Sequence, residues 1–137
     1  MLDLTEIAYD AVQPMADRVD DIARDYPDDL EFGNRTILIV SEGCVSQPRE
    51  TDLTRPGYWI SMVEVAVIGP DKQQCQELCL EAFQYVINEF YHQTQNGVGP
   101  ILALTRGEKE IGVATFGGIL IGGYCARRTL EVHNTIE

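Results

Sequence analysis

The side chains best suited to hold a soft metal, or to act as nucleophile and base, are Cys44, Cys75, Cys79 and Cys125 with His92 and His133. A zinc centre needs four ligands drawn together, usually signalled by paired Cys or His a few residues apart at both ends of a loop. Cys75 and Cys79 are spaced four apart, but neither histidine follows at such a spacing. Both thiols also fall on the apolar stripe of a helical pattern, where a small thiol packs as an ordinary hydrophobe. The expectation is structural thiols in a reducing compartment. Cys125 and His133 would stand roughly 26 Å apart along one extended strand, so they form no dyad.

Other chemistry is equally thin. Gly117-Gly118 and Gly122-Gly123 are followed by no Gly-Lys-Ser/Thr and lie in no GxGxxG, so they make no phosphate cradle. Neither a GxSxG elbow nor an HExxH pair occurs. Glu64 is the one acid set inside an apolar strand pattern, and general acid work would require a cleft around it. The run Asp17, Asp20, Asp21 and Asp25 reads as a solvated face. No catalytic residue, cofactor site or metal site is expected, and the chain is read as a non-enzyme.

The elements that position these residues centre on 57–91. Tyr58 to Ile68 is rich in β-branched and aromatic residues and predicts a long strand. Gly69-Pro70-Asp71 breaks it, and Asp71 can cap the helix that follows. In that helix Cys75, Leu78, Cys79, Ala82, Phe83, Val86, Ile87 and Phe90 recur in steps of three and four. Burying such a stripe gains on the order of 10–20 kcal/mol gross, while ordering about twenty residues costs about 1–2 kcal/mol each. The helix must therefore lie on a sheet, against Trp59, Val63, Val65 and Val67. The other strand face, Tyr58, Ile60, Met62, Glu64, Ala66 and Ile68, is too apolar to be left in water. Either another part of the chain or another subunit covers it.

Around this centre, Leu4 to Ala23 keeps helical spacing, with Pro14 predicted to kink or split the helix near Gln13. Thr36 to Val40 reads as a buried strand. The polar stretch 41–57 reads as a projecting hairpin arm carrying Arg49, Glu50, Asp52 and Arg55, and 92–97 as a turn. Ile101 to Leu104 and Gly112 to Gly118 are predicted to be extended, and 119–133 a long last strand bent at Gly122-Gly123. On that strand Arg127, Thr129, Glu131 and His133 share one face. The fold class is α+β: a mixed, mainly antiparallel sheet, a long amphipathic helix on one face and an N-terminal helix, in one domain spanning 1–137.

The chain has 137 residues and a formal net charge of −12. That balance opposes binding to the outside of DNA or to anionic lipid, which takes clustered Lys and Arg. The start, Met-Leu-Asp-Leu-Thr-Glu, has no basic region and no apolar region of a secretory signal. No apolar run approaches the ~20 residues of a membrane span.

The order of elements resembles that of the tail terminator and minor tail proteins of long-tailed bacteriophages. The resemblance lies in Thr54-Arg55-Pro56, the strand 63–69, the helix 71–90 and the closing Gly123-Tyr124-Cys125-Ala126-Arg127-Arg128-Thr129-Leu130-Glu131-Val132-His133. It implies a virion protein, made in the bacterial cytoplasm, whose subunits form a six-membered ring. The ring would cap the head-proximal end of the tail tube, stop polymerisation, meet head-completion or neck proteins, and pass DNA through an acidic lumen. Candidate interface residues are then Arg49, Glu50, Asp52 and Arg55 in the arm, Ile60 and Met62 on the central strand, and Arg127, Arg128 and Glu131 on the last. A small dimeric ligand-binding or regulatory α+β domain is the alternative from another class.

Overall fold

The computed structural model describes residues 4–25, 35–46, 58–95, 101–104, 110–116 and 119–135. Helix α1 (Leu4–Ala11) and a 3-10 turn (Gln13–Met15) lead into strands β1 (Asp21–Arg24), β2 (Ile37–Ser46) and β3 (Tyr58–Gly69). Helix α2 (Lys72–Gln95) follows, then β4 (Ile101–Leu104), β5 (Glu110–Phe116) and β6 (Ile119–Thr135). The six strands form one sheet in the order β1-β2-β3-β6-β4, with β5 also paired to β6. Only β1 and β2 run parallel among these pairs; the others are antiparallel. The protein is α+β, as its sequence predicts.

The central strand and helix sit as their residues dictate. The Gly69-Pro70-Asp71 break ends β3, and Asp71 Oδ1 accepts the backbone N–H groups of Gln73 at 3.0 Å and Gln74 at 3.2 Å. These are two of the donors a helix start leaves unsatisfied. Cys75, Leu78, Cys79, Ala82, Phe83, Val86 and Phe90 are buried against Val63, Val65 and Val67 of β3 and Leu130 and Val132 of β6. Leu4, Ala8, Val12 and Met15 join the same core from the N-terminal segment. Ile87, expected within the stripe, is only partly buried at its margin.

Three boundaries differ from expectation. The N-terminal helix stops at Ala11, and Asp21–Arg24 is a strand pairing with Ile37–Val40. Pro14 interrupts the ladder, and Asp20 then turns the chain: its N–H donates to the Thr36 carbonyl at 2.8 Å, and its carboxylate accepts from the Thr36 N–H at 2.6 Å. Asp25 closes β1 at a positive φ of 61°, a conformation that Asp tolerates better than most residues. Strand β2 does not end at Val40 but runs on to Ser46, because Ser41 to Ser46 pair with Ile60 to Glu64 across a bulge at Glu42/Cys44. The first part of the expected arm is thus sheet, and 47–57 lies outside the described residues. Helix α2 continues through the expected turn to Gln95; no helix breaker stands between His92 and Gln95.

The irregularity expected at Gly122-Gly123, a bulge or a bend, coincides with a break in the β5–β6 register, with Val113 opposite Tyr124 and Thr115 opposite Leu120. A Cβ on Gly123 would meet the Gly69 carbonyl oxygen at 2.9 Å, so two backbones cross closely where β3 ends.

Candidate functional site

The second face of the sheet, away from both helices, is the strongest candidate site among the described residues. Strand parity places Met62, Glu64, Ala66 and Ile68 of β3 on it, beside Arg127, Thr129 and Cys125 of β6 and Ile37 and Ile39 of β2. One end is sealed within the protomer: Ile37, Ile39, Ala66, Ile68 and Cys125 form a second buried cluster, with Ile39 and Ala66 at 0% exposure. Towards the other end, Met62, Glu64, Arg127 and Thr129 are each only half-buried. The expectation that this whole face needs a cover therefore narrows to that end. The aliphatic end packs within one protomer, while among the described residues the end carrying Glu64 and Arg127 stays partly exposed.

The candidate interface residues scatter across the fold. Arg49, Glu50, Asp52 and Arg55 lie outside the described residues. Ile60 stands opposite His133 in backbone register, and Met62 opposite Glu131. Arg127 is opposite Ala66 on β3 and Glu110 on β5. Arg128 falls on the opposite face from Arg127, with its guanidinium 5.9 Å from the centre of the Phe83 ring on α2. At that distance it is held as a cation over an aromatic face inside the helix layer. Arg128 is thus separated from the sheet face that Arg127 and Met62 share.

The three thiols whose surroundings are described pack in the core. Cys75, Cys79 and Cys125 are free and buried. The Cys79 thiol donates to the Val65 carbonyl at 3.5 Å, and the Cys75 thiol approaches the Tyr124 carbonyl at 3.7 Å. Burial pushes the Cys79 pKa up to about 12 and the Cys75 pKa up to about 11, the reverse of what a nucleophilic or metal-binding thiol requires. Among the described residues no three His, Cys, Asp or Glu side chains gather as a metal site. Cys125 and His133 lie on the same strand, opposite Ile68 and Ile60, so no dyad forms between them. Asp17, Asp20, Asp21 and Asp25 are exposed but form no single helical face: Asp21 opens β1, and the Asp20 carboxylate accepts from the Thr36 N–H.

Two features escape a reading that follows the core stripe alone. Leu80 and Tyr91 on α2 are 41% and 60% exposed, on the side of the helix turned from the core. Arg18, after the 3-10 turn, pairs with Glu81 and ties the N-terminal segment to the other flank of α2. Among the described residues no helix is long and apolar enough to cross a membrane. Compared with models of known protein families and with curated proteins, the chain matches none.

Proposed function

We propose that this chain is a structural protein of the head–tail joint of a long-tailed bacteriophage, acting as a tail terminator. Copies assemble into a six-membered ring that caps the head-proximal end of the tail tube. The ring ends tube polymerisation, meets the head-completion or neck proteins, and lets DNA through a lumen that does not grip it. The chain performs no catalysis and resides in the virion.

The observation that carries this reading is the half-open end of the second sheet face. Met62, Glu64, Arg127 and Thr129 form a partly apolar, partly exposed patch on that face, with Glu131 opposite Met62 and Glu110 opposite Arg127 in register. The chain around it carries a net charge of −12. Copies so charged repel one another, so a contact on this face has to bury apolar surface or pair its carboxylates with cations. The element order supports the reading through its resemblance to the tail terminator family.

Negative-stain microscopy of the protein mixed with its tail tube protein tests it. Rings seated at one end of tubes of limited length are expected. A protein that stays monomeric at high concentration and forms no ring with the tube overturns it.

A further inference from the structure

We draw no further inference here: the strongest candidate, the outward face of α2 bearing the exposed Leu80 and Tyr91, is an apolar surface patch among the described residues, and nothing in the structure shows what covers it.

Discussion

At the scale of single residues, burial decides what the thiols do. Cys79 titrates near pH 9 in an exposed chain and about 12 in the fold. Below the unfolded value both states hold the proton, and the stability associated with the neutral thiol is fully present. Above it the unfolded chain loses protons that the folded chain keeps, so stability falls by about 1.4 kcal/mol per pH unit until the folded value is reached. Urea unfolding of the unmodified chain and of Cys79→Ala should therefore converge as pH rises from 8 to 10.5. A constant gap would show that the thiol titrates alike in both states. Gly123 is a second residue-scale case, because an added methyl would strike the Gly69 carbonyl. Gly123→Ala should lower stability by about 1–3 kcal/mol through that overlap, read from its thermal midpoint. The need for glycine here was legible as a close approach, but the identity of the approaching backbone was not, since it is set by the β3–β6 register.

At the scale of elements, legibility followed how many constraints agreed. For β3 and α2, periodicity, breaker and cap all point one way, and the Asp71 carboxylate does cap α2. Asp71→Ala should cost about 1 kcal/mol, measured by urea unfolding, with Asp71→Ser recovering most of it. Where the chain decided by pairing, sequence pattern failed. Val19, Ile22 and Ala23 keep helical spacing, yet Asp21–Arg24 is a strand because β2 offers it a parallel edge. Ser41 to Ser46 read as polar arm, yet they are sheet because β3 is long enough to pair with them. Partner strands are chosen by tertiary contacts that a local window does not contain. The candidate site was legible on the same terms. Alternation along β3 exposed the existence of a second apolar face, whereas its division into a sealed and a half-open end depends on which strands lie beside it.

At the scale of the whole molecule, net charge would oppose the proposed assembly. Each copy carries a net −12, and the proposed ring would bring such copies within about one Debye length of each other at 0.1 M salt, ~10 Å. The proposed ring joins copies of one net sign, so added salt weakens the repulsion between them. Assembly should then rise severalfold as sodium chloride is increased from about 0.1 M to 1 M, where the Debye length falls to ~3 Å. Light scattering at fixed protein concentration measures this. A ring held by ion pairs would respond with the opposite sign and dissociate as salt rises. Lowering the pH from 7 towards 5 separates screening from any strengthening of apolar contacts by salt, because it reduces the net charge at constant ionic strength by protonating part of the Asp and Glu population. Enhanced assembly under both treatments identifies repulsion as the opposing force. Enhancement by salt with no response to pH would assign the effect to apolar contacts.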